Sequence, residues 1–355
     1  MSQIRVLVVG LGNMGISHAR AYHSVDGFEI AGLCSRDIAG RPEIAAEFPG
    51  VPAFSEYREA LAALKPDAVS INTWPDTHAA FARAALEAGA HVFIEKPLAE
   101  SVAQAQEIVA LAQARGRKLY IGYILRVHPS WAKFVELGRT LGKPLVMRMN
   151  LNQQSSGSQW ATHKRLMQTV SPIVDCGVHY VDVMCQVTGA KPLRVHALGA
   201  RLSDEIAPSM YNYGCLQVAF DDGSVGWYEA GWGPMMSETA FFVKDMIGPK
   251  GAVSIAVDEA KTESSDIDSH TRTSALRLHH AALGADGRLA RRDEIVRMDD
   301  EPGHQELCER EQRAFLRAIR DDEDLSEYAR GAIDSLRIVL AADESIRTGR
   351  VVALD

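Results

Sequence analysis

Short apolar runs alternate with stretches of helical periodicity along the first third of the chain. The run 4–9 is β-branched and aliphatic, the pattern of a strand buried on both faces of a parallel sheet. A glycine-rich turn follows, then helix-like spacing over about 14–24 and a second strand near 28–34. The alternation continues as strand 67–72, helix 77–88, strand 91–95, helix 101–115 and strand 118–122. Ser101 suits a helix N-cap, and Gly89 and Gly116 suit helix stops. Strands alternating with helices predict βαβ units and a doubly wound sheet.

The period changes after about residue 125. One more helix, about 129–139, gives way to long alternating strands at 145–152, 193–201, 214–220 and 224–231, with a hairpin turn at Asp221-Asp222-Gly223. Runs at 241–247 and 252–257 continue the pattern. The tract 258–303 is polar and irregular, and two amphipathic helices (about 304–320 and 326–347) and a short strand at 351–354 close the chain. The expected fold is α/β: an N-terminal Rossmann domain, 1–125, and an α+β domain, 126–355, with a large open mixed or antiparallel sheet. The C-terminal helix is expected to pack back on the first domain.

Length and composition narrow the class. A chain of 355 residues, 46% hydrophobic and 24% charged, has material for two packed domains. The net charge of −8 argues against a nucleic-acid or acidic-membrane binder, which needs a basic face. Five cysteines, odd in number and without CxxC spacing, suit a reducing cytoplasm better than a disulfide framework. The start leaves no room for a signal peptide, and no apolar run approaches the roughly 18 residues of a membrane helix.

Three motifs carry the chemistry. Gly10-Leu-Gly12-Asn13-Met14-Gly15 directly follows the first strand and opens a helix. In that context Gly10 allows the tight turn, Gly12 lets backbone approach a pyrophosphate, Gly15 permits close packing, and the helix N-terminus supplies N–H groups. About 20 residues on, a dinucleotide site reads the adenosine ribose. Ser35 stands at the usual acidic position with Arg36 after it, which suits the 2′-phosphate of NADP; in a later register, Asp37 is the acid, Arg36 is solvated and NAD is the cofactor.

Glu95-Lys96-Pro97 follows the apolar run 91–94, placing a lysine at the carboxyl end of a buried strand, where open α/β sheets bind ligands. Asp175, His179 and Asp182 stand at i, i+4 and i+7 after a helix start at Ser171-Pro172, within a sector of roughly 60° on one helix face. A neutral histidine beside a carboxylate takes up a proton near physiological pH. A capping Asp and a buried structural His are the bland alternatives. Nothing nearby offers a third and fourth metal ligand, so no metal is expected.

With Thr73-Trp74-Pro75-Asp76-Thr77-His78, these motifs resemble the Gfo/Idh/MocA family of glucose–fructose oxidoreductase and inositol dehydrogenase relatives over nearly the whole length. The resemblance implies a Rossmann domain followed by an α/β domain whose open sheet serves substrate binding and oligomer contacts, as a homodimer or homotetramer. It implies hydride transfer between nicotinamide C4 and one carbon of a sugar, polyol or sugar derivative. Lys96 matches the family's EKP lysine, and Asp175 and His179 its Asp/His pair. Lys96 would bind the reacting oxygen and His179 take its proton, with either as formal base. Arg126 matches an arginine before a proline-started helix and is implied to contact cofactor or substrate. Thr73, Trp74, Pro75, His78 and Glu95 are placed along the cofactor. The family's glycine-rich approach to the Asp is replaced here by Thr169-Val170-Ser171-Pro172.

Among other residues, Trp160 and His163 are candidates to contact substrate, and Trp227, alternating within a strand, is expected in the core. Two other activities compete with a dehydrogenase: a cofactor-binding sugar sensor, and a glycoside hydrolase using transient NAD redox. A sensor has no need of Lys96, Asp175 and His179 together.

Overall fold

The computed structural model describes residues 2–237, 243–256, 273–299 and 301–354. The expected strands at 241–247 and 252–257 fall partly outside these residues, and the irregular tract 258–303 does so over much of its length. Two compact units form, Met1–Val127 with Pro302–Ile333, and His128–Glu301 with Asp334–Asp355.

The first unit is built on a six-stranded parallel sheet: β1 (Ile4–Val9), β2 (Phe28–Cys34), β3 (Ala53–Phe54), β4 (Ala68–Ile71), β5 (His91–Ile94) and β6 (Leu119–Ile121), in the order β3-β2-β1-β4-β5-β6. The order reverses between β1 and β4, and the crevice at the carboxyl ends of these strands is where such sheets hold ligands. Val6, Leu7 and Val8 are fully enclosed, as a strand covered on both faces requires. The connecting helices are α1 (Asn13–Ser24), α2 (Pro42–Glu47), α3 (Tyr57–Leu64), α4 (Pro75–Glu87) and α5 (Val102–Ala114). Ser101 caps α5, its hydroxyl accepting from Gln104 N–H at 3.2 Å. In the tract 38–64, Pro42, Pro49 and Pro52 interrupt any period; it nonetheless folds into α2, β3 and α3.

The second unit holds α6 (Pro129–Thr140), β7 (Val146–Gln154), α7 (Gly157–Leu166), α8 (Pro172–Asp175), α9 (Gly177–Thr188), β8 (Pro192–Ala200), β9 (Tyr213–Phe220), β10 (Val225–Gly233), β11 (Lys244–Gly248), β12 (Gly251–Ala256), β13 (Ala275–His280), β14 (Glu294–Arg297) and β15 (Val352–Ala353). Its strands form one sheet in the order β14-β13-β12-β11-β7-β10-β9-β8-β15, antiparallel except for the parallel β7–β10 pair. One face is packed: Trp131 on α6 and Tyr180 on α9 meet edge to face, and Tyr180 stacks on Tyr228 of β10 at 5.2 Å. Because side chains alternate along a strand, Trp227 points to the opposite face with Val225 and Glu229, and is only half-buried. This corrects the expectation for Trp227: the core residue of that strand is Tyr228. Two helices, α10 (His304–Arg320) and α11 (Ser326–Thr348), follow; α10 and the first turns of α11 belong to the first unit, the rest of α11 to the second.

Candidate functional site

The turn after β1 is held closed by its outer glycines. Gly10 has φ 81°, and a Cβ there would lie 2.5 Å from the Asn72 carbonyl oxygen; a Cβ on Gly15 would lie 1.8 Å from that of Gly10. Gly12 has nothing within 4 Å of its Cβ position. It is the N-cap of α1 without a side-chain cap, and Gly12 and Asn13 are exposed, with Met14 half-buried behind them. An uncapped helix start beside an open glycine fits a pyrophosphate, whose charge the backbone N–H groups and helix dipole favour.

At the end of β2, the Ser35 hydroxyl donates to Asp37, and this bond holds the Asp37 carboxyl below its ordinary range. Arg36 is exposed beside them. Arg41, which the sequence reading missed, donates from its guanidinium to the Leu11 carbonyl of the glycine loop. No local pattern marks this arginine; only the fold brings it 30 residues back along the chain.

The turns after β4 and β5 are tied together by His78. Its Nδ1 stands 2.7 Å from the Pro97 carbonyl oxygen and its Nε2 3.0 Å from that of Thr73. A neutral ring donates to only one of these. Burial outweighs the pull of both carbonyls and holds the imidazole below its ordinary range. His78 is fully enclosed, so a cofactor contact by its side chain is corrected to a clamp between turns. Thr73 Oγ1 and Thr77 Oγ1 share a 2.6 Å hydrogen bond, and Thr73, Trp74 and Pro75 are half-buried at the start of α4.

Glu95 also turns inward. Its Oε1 lies 2.8 Å from His18 Nε2, and its Oε2 accepts from the Lys96 backbone N–H at 3.2 Å, so its carboxylate supports the turn. Lys96 is half-buried and precedes a cis peptide bond to Pro97. Arg126 lies with its guanidinium 4.0 Å from the centre of the Tyr328 ring and 5.2 Å from that of Tyr123.

In the second unit, the expected helix after Ser171 is divided. Ser171 Oγ accepts from Val174 N–H at 3.1 Å, and Pro172 takes the first helical position, as the sequence predicts. The helix pauses at Cys176, and His179 N–H bonds Cys176 O three residues back, at 3.2 Å. Asp175 and His179 are half-buried on either side of this junction, whereas Asp182 is enclosed and accepts from Gln186 Nε2 at 2.8 Å. The expected single helix face of three residues is not formed: Asp182 is enclosed, and Asp175 and His179 stand on successive helices. Gly177 makes the close approach at the junction, since a Cβ there would lie 2.8 Å from the Tyr228 ring.

His163 on α7 stacks on Trp232 with centroids 4.4 Å apart and bonds Ser155 Oγ through Nδ1 at 3.0 Å. Burial pulls its imidazole down to about 4, against the attraction of Asp175. Trp160 packs with Met167, Cys176, Ile206 and Trp232, its indole N–H donating to Glu205 at 3.2 Å. The Trp160 ring is part of this small core. Lys244, enclosed on β11 with Nζ 5.4 Å from the centre of the Tyr180 ring, was also missed; burial holds it well below its ordinary range.

A parallel sheet in this order, with an open glycine loop at its switch point, defines a dinucleotide-binding Rossmann protein with a second, sheet-rich unit. Residues 4–123 match the family described as an oxidoreductase family with an NAD-binding Rossmann fold, and 135–243 match the GFO/IDH/MocA C-terminal domain. The chain belongs to the Gfo/Idh/MocA family. It is 33% identical over 204 residues to the UDP-N-acetylglucosamine 3-dehydrogenase of Acidithiobacillus ferrooxidans, a stretch covering 56% of this chain and 59% of that enzyme, less than two thirds of its length. It is 29% identical over 269 residues to the scyllo-inositol 2-dehydrogenase (NAD(+)) of Bacillus subtilis, covering 71% of this chain and 74% of that one. The solved structure of the Acidithiobacillus enzyme superposes with a TM-score of 0.75 over 98% of this chain and 99% of that chain, at 24% identity, a likeness of fold.

Proposed function

We propose that the protein is an NAD(P)-dependent dehydrogenase of a sugar, polyol or sugar derivative, acting on a CH–OH carbon. The observation that carries this reading is the Lys96 turn: a half-buried lysine at the carboxyl end of β5, braced through its own amide by Glu95 and through Pro97 by His78. Family membership and the names of the two relatives support the substrate class.

A bound nicotinamide supplies the hydride acceptor at C4, or the donor in reverse. Lys96 binds the substrate oxygen and stabilises the developing alkoxide. His179 would take the hydroxyl proton, and Asp175 would orient the imidazole or the substrate. Lys96 is the other candidate for the formal base. His163, next to Asp175 in charge though enclosed, lines the same part of the second unit. Arg126 contacts cofactor or substrate at the close of the first unit. Backbone N–H groups at Gly12, Asn13 and Met14 hold the pyrophosphate. Ser35 and Arg36, with Arg41 nearby though paired with Glu43 at 3.1 Å, favour NADP, since a guanidinium can bind a 2′-phosphate in bidentate fashion. We place the enzyme in the cytoplasm, as a homodimer or homotetramer.

The test is absorbance of the reduced nicotinamide with NAD and NADP across aldoses, inositols, nucleotide sugars and sugar lactones. Turnover is expected in the wild type and a loss of about 10²-fold or more in kcat in Lys96→Ala. Arg36→Ala with Arg41→Ala is expected to lower the NADP/NAD ratio of kcat/KM by about tenfold or more. Tight cofactor binding without turnover would move the assignment to a sensor, and cleavage of glycosides without net reduction to a redox hydrolase.

A further inference from the structure

Beneath the Lys96 turn lies a polar chain that the hydride-transfer reading leaves unused. His18 of α1 is fully enclosed, and its ring sits 4.7 Å from that of Phe93 on β5. Gln312 of α10, also enclosed, places its amide nitrogen 2.9 Å from His18 Nδ1. With Gln312 donating, the ring proton is assigned to Nε2, and His18 becomes the donor to Glu95 Oε1 at 2.8 Å. The far oxygen of Glu95 then receives the Lys96 amide. Gly122, at the end of β6, makes room for this carboxylate, since a Cβ there would stand 3.2 Å from Oε1.

Glu311, the neighbour of Gln312, is enclosed, and among the described residues neither of its carboxyl oxygens has a hydrogen-bond partner. Burial first, and the nearby Glu95 charge second, push its carboxyl far above the ordinary range. His18, Cys308 and Glu311 offer donor atoms within 4.8 Å of one another. Both ring nitrogens of His18 are already committed to Gln312 and Glu95, however, which makes this a hydrogen-bond chain in preference to a metal centre. The other ionisable groups facing it are Tyr22 on α1, Tyr120 on β6 and His78 on α4.

We infer that Gln312, His18 and Glu95 act in series as positioning residues for Lys96, setting from within the Rossmann unit the direction of the residue that meets the substrate oxygen. The inference rests on the dehydrogenase reading for its catalytic meaning, though not for its geometry. Enclosed donors and acceptors in series are costly to interrupt, because each loss leaves a buried partner unsatisfied. A displacement of about 1 Å at a reacting group costs on the order of a hundredfold in rate.

Two variants separate positioning from packing. His18→Phe keeps the ring volume and removes the donor; His18→Gln restores a side-chain N–H. In His18→Phe, kcat is expected to fall about tenfold to a hundredfold with NADP affinity within about twofold of wild type, and His18→Gln to recover most of the loss. The second readout needs no turnover: the pH profile of Lys96 acylation by acetic anhydride, followed by mass spectrometry. That profile is expected to move in His18→Phe and return in His18→Gln. If His18→Phe fails to fold, Gln312→Met at the far end of the chain carries the same comparison. Unchanged kcat and an unchanged Lys96 profile in a folded variant would overturn the inference. A wild type that turns over no substrate would sink the dehydrogenase reading alone and leave the acylation comparison standing.

Discussion

His163 shows what burial does to one residue's chemistry. The ring is stacked on Trp232 and only 7% exposed, and its imidazole is pulled down to about 4 from a usual 6.5. The folded state therefore binds fewer protons than the unfolded state between pH 6.5 and 4, so the contribution is fully present above pH 6.5 and is lost as pH falls through that window. Its size is at most about 3 kcal/mol. His91, also pulled to about 4 and accepting from Lys118 N–H, acts with the same sign. Urea unfolding at pH 7.5 and pH 4.5 should show wild type losing more stability on acidification than His163→Gln; equal losses would refute the assignment. Much of the candidate site at this scale was legible, because Gly10, Gly15, Lys96 and Ser171 are chosen by local backbone or capping needs that leave a mark in the sequence. His18 and Arg41 left none, as their partners lie 77 and 30 residues away. Glu311 and Gln312 did leave a trace: they fall four residues after Leu307 and Cys308, on the buried stripe of an otherwise amphipathic helix.

At the scale of elements, the chain's ability to present Asp175 depends on a four-residue helix too short to stand by itself. Its start is fixed twice over. Ser171 Oγ accepts from Val174 N–H and donates to Asp343 of α11 at 2.8 Å, and Tyr211 bonds the same carboxyl oxygen. Ser171→Ala removes the cap and a donor to the half-buried Asp343 carboxylate, at a cost of about 1–2 kcal/mol. Asp175 ends that helix, so kcat should fall more than KM rises, whereas Ser171→Thr should keep both near wild type. Steady-state kinetics beside denaturant unfolding check this, and a Ser171→Ala enzyme with native kcat would refute it. The long elements were readable because period and caps agree, as at α5 and β10. The break at Cys176 was not, because it answers to the Tyr228 ring beneath Gly177, a contact between strand and helix that no local spacing encodes. Short α2, β3 and α3 were hidden by the same prolines that cut them to length.

At the scale of the whole molecule, the nine-stranded sheet poses a problem that one chain does not solve. Helices cover one face. On the other, Leu198, Val225, Val146 and Ile247 are 61%, 44%, 41% and 38% exposed. The register sets Val225, Val146 and Ile247 side by side, since Val225 pairs with Val146 and Val146 with Ile247, while Leu198 shares the face farther along, level with Cys215 and Glu229. The Arg148–Asp245 ion pair and Glu229 share this face, and we propose that the apolar row beside them is covered in use. Trp227 stands beside this row, half-buried, where a core residue was expected. A second copy of the same sheet is the simplest cover, giving the homodimer or homotetramer proposed above. Light scattering after size exclusion should find wild type at two or four times the chain mass, and Leu198→Asp with Val225→Asp should shift it to the monomer, because two buried carboxylates per copy cost more than such a contact returns. The glycine loop and the Lys96 turn are built wholly within the other unit. The monomeric variant should therefore keep its cofactor affinity within about twofold, and loss of that affinity together with the assembly would show that the sheet supports more than association.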